Sequence, residues 1–250
     1  MSMSRFKGKN VVITGSSRGI GLAILEQFAE EGANIAACSN NLSETVLQKY
    51  KDIAEKRNVQ ITPFFFDMAD EGAVVEGAKS IKASMPIVDV LVNNAGISHI
   101  APFMMDKTDD LHLVFQINYF SQMVFTKGLL GCLKKAKGAS IVNMTSIAGL
   151  DGGIGVTAYG ASKAAIALST KVMAQEFALY RIRVNGVAPA MVNTDMATCM
   201  GEKAIQNSKN TSALKRLAMP EEIARLVVYL ASEHASYITG QIIRVDGGRI

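Results

Sequence analysis

Residues 11–21 read VVITGSSRGIG, an apolar run followed directly by a glycine-rich turn. The turn has the spacing G-x-x-x-G-x-G, and its glycines are Gly15, Gly19 and Gly21. Ile20, Ile24 and Phe28 then recur every four residues, a spacing typical of one helix face. The stretch therefore predicts a buried strand, a tight turn and a helix, which is the first unit of a parallel sheet.

Further β-rich apolar runs alternate with longer segments of helical period. The runs occupy residues 11–14, 34–39, 61–66, 88–92, 140–144, 183–188 and 242–245. This alternation predicts an α/β fold, a doubly wound Rossmann-type domain with a seven-stranded, mainly parallel sheet and helices on both faces. No linker or repeat divides the chain, so we expect residues 1–250 to form a single domain.

Helix boundaries follow from caps and prolines. Residues 41–43 start the second helix, with Ser43 as its N-cap. The third helix spans residues 70–85 and stops before Pro86. A long alanine-rich helix covers residues 158–180, and Pro220 opens the last helix, with glutamates in its first turn.

Composition excludes several classes of protein. Of the 250 residues, 49% are apolar and 19% charged, which excludes a disordered, collagen-like or disulfide-scaffold chain. Lysine and arginine total 26 against 22 acids, and a net charge of +4 does not indicate nucleic acid. Three scattered cysteines and no signal-like or membrane-spanning run predict a soluble cytoplasmic protein without a membrane partner.

The glycine turn is a candidate phosphate site. Glycines allow close backbone approach, and the following helix start offers free N–H groups to a pyrophosphate. An ordinary strand–helix turn is the alternative, but the position after the first strand favours a nucleotide site. We expect cofactor contacts from Gly15, Ser17, Arg18, Gly19, Ile20 and Gly21.

The residue types favour NADP over NAD. The second run ends at residues 38–41 without the acid that would hold the ribose hydroxyls of NAD. Arg18 instead lies where it can meet a 2′-phosphate through a charge-assisted hydrogen bond. Arg18 could also be a solvated residue, but an arginine near the positive end of a helix dipole is unfavourable without an anion.

A polar patch is predicted at the carboxyl edge of the sheet. Tyr159 and Lys163 are four apart on the long helix and share a face, which by itself is typical of an ordinary surface pair. Ser146 follows one strand, and the NNAG sequence of residues 93–96 follows another. Each is common in turns, but together they lie at the edge where doubly wound sheets bind ligands.

These motifs resemble the short-chain dehydrogenase/reductase family in its compact subclass. The resemblance rests on residues 14–21, 93–96 and 159–163 together with Ser146, and it extends to VDGG at residues 245–248. Within the family the chain is most similar to 3-oxoacyl-acyl-carrier-protein reductases. That likeness rests on the Ser-Arg pair of the turn, NTDM at residues 193–196 and PEEIA at residues 220–224.

The resemblance implies a role for each catalytic residue. Tyr159 would protonate a carbonyl oxygen, with Lys163 and the oxidised nicotinamide lowering its pKa from about 10 toward about 7. Ser146 would polarise the substrate carbonyl. Asn118 would hold a water in a proton relay to the lysine, although on its own it is typical of a structural helix residue.

The resemblance also assigns further cofactor contacts. Asp67 and Met68 would flank the adenine, Asn94 the ribose, and Val192 and Thr194 the nicotinamide amide, while Tyr159 and Lys163 would also touch the cofactor. Asn40 stands where NADP-preferring relatives often carry arginine. Residues 189–215 would form the substrate lid, whose methionines are either core filler or an adaptable apolar wall, namely Met191, Met196 and Met200.

The sequence therefore predicts an NADP(H)-dependent reductase that acts on a 3-oxoacyl thioester. A small-molecule alcohol, polyol or steroid dehydrogenase is the alternative, and a non-catalytic NADP-binding sensor is disfavoured because the four catalytic residues are intact. No metal site is predicted, since the histidines show no ligand spacing, namely His99, His112 and His234.

The resemblance further implies a homotetramer. Alanines of the long helix would allow close helix approach, namely Ala164, Ala165, Ala167, Ala174 and Ala178. A carrier-protein substrate would need basic residues near the cleft, and the candidates are Lys134, Lys135, Lys137, Arg181 and Arg183. They precede strands, at the wrong edge of one subunit, so solvated basic helix ends are an equal alternative.

Overall fold

The computed structural model of the protein describes residues 4–40 and 43–249. Seven strands form one sheet in the order β3-β2-β1-β4-β5-β6-β7, and each neighbouring pair is parallel, which confirms the doubly wound α/β fold. The strands are β1 (Asn10–Thr14), β2 (Asn34–Ser39), β3 (Ile61–Phe65), β4 (Val90–Asn93), β5 (Ser140–Met144), β6 (Arg183–Pro189) and β7 (Ile242–Val245).

Helices connect successive strands. They are α1 (Gly19–Glu30), α2 (Glu44–Arg57), α3 (Glu71–Ser84), α4 (Thr108–Phe115), α5 (Ser121–Lys135), α6 (Ala148–Asp151), α7 (Thr157–Phe177), α8 (Asp195–Cys199), α9 (Glu202–Thr211) and α10 (Pro220–Ala231). A π turn, Gln116–Phe120, joins α4 to α5. Within residues 4–40 and 43–249, none of the helices combines the length and the apolarity that crossing a membrane requires.

The sheet is buried between two helical layers. On β1, Val11 and Ile13 belong to the core shared with α1 and α10, whereas Val12 belongs to the core shared with α3, α5 and α7. Successive strand side chains point to opposite faces, so a strand covered on both faces is apolar at most of its positions. This requirement explains the continuous apolar runs in the sequence.

Several predicted boundaries need correction. The strand predicted at residues 88–92 is β4, Val90–Asn93, because the Val88 N–H donates to the carbonyl of Cys132 instead of joining the ladder. The helix predicted from residue 70 begins one residue later, since the Asp70 side chain caps it. The long helix ends at Phe177, and a 3-10 turn follows.

The second helix begins as predicted after Ser43, whose hydroxyl accepts the N–H of Val46 at 3.3 Å. The preceding positions of that prediction, 41 and 42, lie outside the described residues.

The strand order positions the site. The chain adds β2 and β3 on one side of β1 and then returns to place β4 on the other side. The loops that leave β1 and β4 therefore diverge and open a crevice at the carboxyl edge, where ligands bind in sheets of this kind.

Candidate active site

A cleft of 670 Å³ opens at the carboxyl edge of the sheet and is lined by the segments that follow β1 to β6. All but one of the residues predicted for the cofactor and for catalysis line this cleft, and the exception is Asn118. The predicted residues that line it are Gly15, Ser17, Arg18, Gly19, Ile20, Gly21, Asn40, Asp67, Met68, Asn94, Ser146, Tyr159, Lys163, Val192 and Thr194.

The glycine turn is held tightly against the end of β4. Gly15 has a φ of +66°, and a Cβ atom there would lie 2.9 Å from the Cα of Ala95. The Asn94 amide donates to the carbonyls of Thr14 and Gly15 at 3.0 Å each. A Cβ atom at Gly21 would lie only 2.0 Å from the Gly15 carbonyl oxygen. Only glycine fits at these two positions.

The start of α1 faces this turn without a side-chain cap and without an acid in its first turn. Its positive dipole end and main-chain N–H groups suit an anion in the cleft. Arg18 directly precedes the helix, and its side chain is 77% exposed. The only acid within 4.0 Å of it among the described residues is Asp195, at 3.9 Å. The turn therefore fits a phosphate-bearing nucleotide.

The end of the cleft predicted to hold the adenine carries no acid directly after β2, where Asn40 lines the wall. The Asp67 carboxylate accepts the N–H of Ala69 at 2.9 Å, which fixes the turn after β3. Met68 is buried, and its carbonyl accepts the Ser121 hydroxyl at 2.6 Å. These contacts fix the two segments predicted to flank the adenine.

The three catalytic candidates meet at the other end of the cleft. Ser146 follows β5, and its side chain lies near enough to the Tyr159 hydroxyl to lower the pKa of that phenol. Lys163 is buried one turn further along α7, with its Nζ 5.9 Å from the centre of the Tyr159 ring. The Lys163 ammonium donates to the carbonyl of Met144 at 2.9 Å, at the end of β5.

Burial controls the protonation of this pair. It raises the pKa of Tyr159 above its ordinary value of 10, and the nearby Ser146 hydroxyl opposes the rise. Burial also lowers the pKa of Lys163 to about 8. The protein groups alone therefore do not produce the predicted lowering of the Tyr159 pKa, because burial outweighs them. At neutral pH the phenol is protonated and is able to donate a proton.

Asn118 lies behind the lysine, outside the cleft lining. It is buried in the π turn, and its amide donates to the Ile97 carbonyl and to the Ser162 hydroxyl while its oxygen accepts the Ile97 N–H. A Cβ atom on Gly96 would lie 3.0 Å from Asn118 Oδ1 and 3.3 Å from Lys163 Nζ. The side chain thus fixes the loop after β4, and its part in a water relay stays a prediction.

The end of the cleft predicted to hold the substrate is rich in large apolar side chains. Its walls carry isoleucines from the loops after β4 and β5 and methionines from residues 189–215, namely Ile97, Ile100, Ile147, Ile154, Met191, Met196 and Met200. A hydrogen bond of 2.9 Å from the Ala101 N–H to the Gly155 carbonyl joins the two loops. The positions of the methionines favour the apolar wall over the core-filler alternative.

Three residues at or near the cleft had no role predicted from the sequence. The Thr14 hydroxyl accepts the N–H groups of Asn94 and Ala95 at 2.9 and 3.0 Å, and its place before Gly15 was the available signal. Tyr50 reaches from α2 to the Ser16 hydroxyl, with 2.8 Å between the oxygens. No local pattern indicated Tyr50 or Asp195, because each contact joins distant parts of the chain.

The structure shows the contacts of two basic residues that are candidates for carrier docking. Arg183 is not available to a carrier protein, because its guanidinium donates to the main-chain carbonyls of Leu230, Ala231 and Ser232. Lys134 lies over the Tyr180 ring, 3.6 Å from its centre.

The fold also places His99 beside two acids, which its spacing in the sequence did not indicate. Its Nε2 lies 2.9 Å from Asp106, and potential ligand atoms of His99, Asp106 and Asp110 lie within 4.8 Å of one another.

Comparisons with known proteins show what the chain is similar to. A family profile described as enoyl-(acyl carrier protein) reductase matches residues 15–249. The chain is 36% identical to a 3-oxoacyl-acyl-carrier-protein reductase of Thermotoga maritima over 98% of this chain and 99% of that one. It is 33% identical to a 3alpha-hydroxysteroid dehydrogenase of Mediterraneibacter gnavus over 96% of each chain.

A solved structure gives the same fold. L-Sorbose reductase from Gluconobacter frateurii, in complex with NADPH and L-sorbose, superposes with a TM-score of 0.90 at 30% identity, covering 100% of this chain and 98% of that one.

Proposed function

The chain belongs to the short-chain dehydrogenase/reductase family and is an oxidoreductase, and from that premise we propose that it reduces 3-oxoacyl thioesters with NADPH. The observation that carries the proposal is the juxtaposition in one cleft of Ser146, Tyr159 and Lys163, the glycine turn with Arg18, and an apolar substrate end. The first group suits carbonyl reduction, the second a phosphorylated dinucleotide, and the third an acyl chain.

The cleft fits a nicotinamide dinucleotide. The uncapped start of α1 suits the pyrophosphate. Arg18 can turn to a 2′-phosphate because its ion pair with Asp195 is long, at 3.9 Å, and both side chains are exposed. Asn40, at the end of β2, brings no charge that would repel that phosphate. These features support NADPH over NADH.

Each catalytic side chain has a task in carbonyl reduction. A bound nicotinamide cofactor supplies the hydride. Ser146 donates a hydrogen bond that orients and polarises the carbonyl oxygen. Tyr159, protonated at neutral pH, gives its proton to that oxygen as negative charge develops. Lys163 keeps positive charge near the phenolate that remains, which stabilises it in a site with little water.

The choice of substrate rests on the cleft walls and on the relatives. The isoleucine and methionine side chains of the walls support an acyl or steroid-like substrate over a sugar, because these side chains offer no hydrogen bonds to hydroxyls. The likeness to 3-oxoacyl-acyl-carrier-protein reductases favours the thioester. The second candidate is a steroid dehydrogenase, which the 33% identity with the 3alpha-hydroxysteroid dehydrogenase supports.

The test is NADPH oxidation measured against a panel that holds an acetoacetyl thioester, a simple ketone, a ketosteroid and a ketose. We expect the highest kcat/KM with the thioester and a clear loss when NADH replaces NADPH. A ketosteroid preferred to the thioester would overturn the substrate assignment. No turnover with any carbonyl compound would overturn the assignment as a reductase and would favour the alternative of a non-catalytic NADP-binding sensor.

A carrier-bound substrate is a separate part of the proposal. If an acidic carrier protein docks through surface lysines, kcat/KM for a carrier-bound 3-oxoacyl substrate falls steeply with salt, whereas that for a small thioester does not. Equal salt dependence for both substrates would exclude electrostatic docking and leave a small thioester as the substrate.

A further inference from the structure

The two segments that carry the catalytic residues are in contact through glycines. Ser146 lies two residues before the first residue of the short helix α6, and Tyr159 and Lys163 lie on α7. A Cβ atom on Gly149, in α6, would lie 2.6 Å from the main-chain nitrogen of Ala164 and 2.6 Å from the carbonyl carbon of Lys163. Atoms that are not bonded to each other do not approach that closely. The two backbones are therefore in contact only because Gly149 has no side chain.

The contact is reciprocal. A Cβ atom on Gly160, in α7, would lie 2.8 Å from the carbonyl oxygen of Ala148 in α6. Each glycine thus faces main-chain atoms of the opposite helix, which cannot rotate away as a long side chain would. Both contacts lie close to the catalytic pair: Gly160 follows Tyr159 directly in α7, and Gly149 of α6 lies against the backbone of Lys163.

The other side of α6 is tied to the sheet. The Arg244 guanidinium, in β7, forms two hydrogen bonds with the Asp151 carboxylate, at 2.6 and 2.7 Å. The position of α7 is fixed separately, because the Asn143 amide in β5 donates to the Thr170 hydroxyl at 2.8 Å. A steric conflict between the two helices would therefore move α6, which has four residues, more than α7, which has 21.

We propose that Gly149 and Gly160 are positioning residues that set the separation between Ser146 and Tyr159 and so the geometry of proton donation. The inference rests on the proposed carbonyl reduction for its kinetic consequence. Adding one methyl group at the contact moves α6 outward and carries Ser146 away from the Tyr159 hydroxyl. A displacement of about 1 Å at reacting groups can lower turnover by about 100-fold.

The principal variant is Gly149→Ala, and its matched control is Gly131→Ala on α5, where an added Cβ atom has no neighbour within 4 Å. We expect kcat to fall by about 100-fold in Gly149→Ala, with the dissociation constant for NADPH, measured by fluorescence titration, within about twofold of the native value. Gly131→Ala should keep native kcat. An unchanged kcat in folded Gly149→Ala would overturn the proposal.

A second readout needs no substrate and separates this inference from the proposed function. The 13Cζ signal of Tyr159 in tyrosine-labelled protein, assigned with Tyr159→Phe, reports the surroundings of the phenol, including the nearby Ser146 hydroxyl. Gly149→Ala should move that signal in the same direction as Ser146→Ala does, and Gly131→Ala should leave it in place. A native signal in Gly149→Ala would refute the positioning role even if the chain reduced none of the carbonyl compounds tested.

The milder variant is Gly160→Ala, whose added Cβ atom meets a single carbonyl oxygen. It decides the question if Gly149→Ala does not fold. We expect the same direction of change in kcat and in the Tyr159 signal, with a smaller loss of turnover. Native values of both in Gly160→Ala would then overturn the proposal.

Discussion

At the scale of single residues, the proposed chemistry depends on the phenol of Tyr159, which must be protonated to donate its proton to the substrate carbonyl. Tyr159→Phe removes the proton donor and keeps the ring packed against the cleft. We expect kcat to fall by about 10²–10⁴, the contribution of one acid–base group. NADPH binding, followed by fluorescence titration, should stay native because the variant changes no charge. Turnover near the native rate would exclude Tyr159 as the acid.

Arg18 tests the choice of cofactor. Its guanidinium lies at the glycine turn, exposed and only loosely paired with Asp195. Arg18→Ala should weaken NADPH binding by about 1.5–3 kcal/mol, the range for a hydrogen bond to a charged group. NADH binding should hardly change, since NADH has no 2′-phosphate. Equal weakening of both cofactors, measured by titration calorimetry, would make Arg18 a structural residue.

Lys163 links the site to the pH dependence of stability. Its pKa is about 8 in the folded protein, below the value of about 10.4 for an unperturbed lysine. Between these values the unfolded chain binds more protons than the folded one, so this residue makes the free energy of unfolding rise with pH.

The comparison is with Lys163→Met, which removes the titrating group. Relative to that variant, the free energy of unfolding of the native protein should rise by up to about 3 kcal/mol between pH 8 and pH 10.5. Urea unfolding at several pH values measures the difference. A difference that does not change with pH would mean that burial does not shift the lysine.

At the scale of elements, Arg183 shows how one side chain can connect a strand to a helix. It lies at the start of β6, and its guanidinium binds the last carbonyls of α10, where a positive charge also complements the helix dipole. The sequence placed Arg183 in a basic cluster with Arg181, because both follow the long helix. Only the packing of α10 against the sheet separates the two residues.

Arg183→Met should therefore lower the free energy of unfolding by about 2–3 kcal/mol, since it removes charged hydrogen bonds to partly buried carbonyls. Arg181→Met is the matched control and should change stability little, because Arg181 is exposed. Thermal unfolding measures both variants, and kcat at 25 °C should stay native in each. A carrier-specific rise in KM without a loss of stability would restore Arg183 to the docking surface.

At the scale of the whole molecule, we propose a homotetramer. Leu168 and Val172 on α7 are 65% and 45% exposed, and Phe120, in the adjoining π turn, is 49% exposed. Large apolar side chains grouped on neighbouring helices are typical of interfaces between subunits. Ala167 and Ala174 are buried within the subunit, so their predicted role in helix contacts between subunits is wrong.

Light scattering at micromolar concentration should give the mass of a tetramer. Leu168→Asp places a charge in the apolar surface and should reduce that mass, whereas Leu47→Asp, on exposed α2, should not. A monomer of native protein would refute the assembly.

The sequence by itself determined the fold and most of the site. Its apolar runs specified a sheet buried on both faces, and the glycine turn after β1 specified where the chain approaches a ligand. Because parallel strands end at one edge, Asn94, Ser146 and Val192 had to meet there. These features are local in the chain or follow from strand direction, so no knowledge of packing was needed.

Only the tertiary structure decided how helices touch. Three features depend on segments that no local pattern relates. They are the contact of Gly149 with α7, the burial that raises the pKa of Tyr159, and the ion pair of Arg18 with Asp195. Distances of this kind depend on how closely two backbones approach. The distance between two backbones depends on how all the side chains between the layers pack, and a sequence motif contains only a few of those residues.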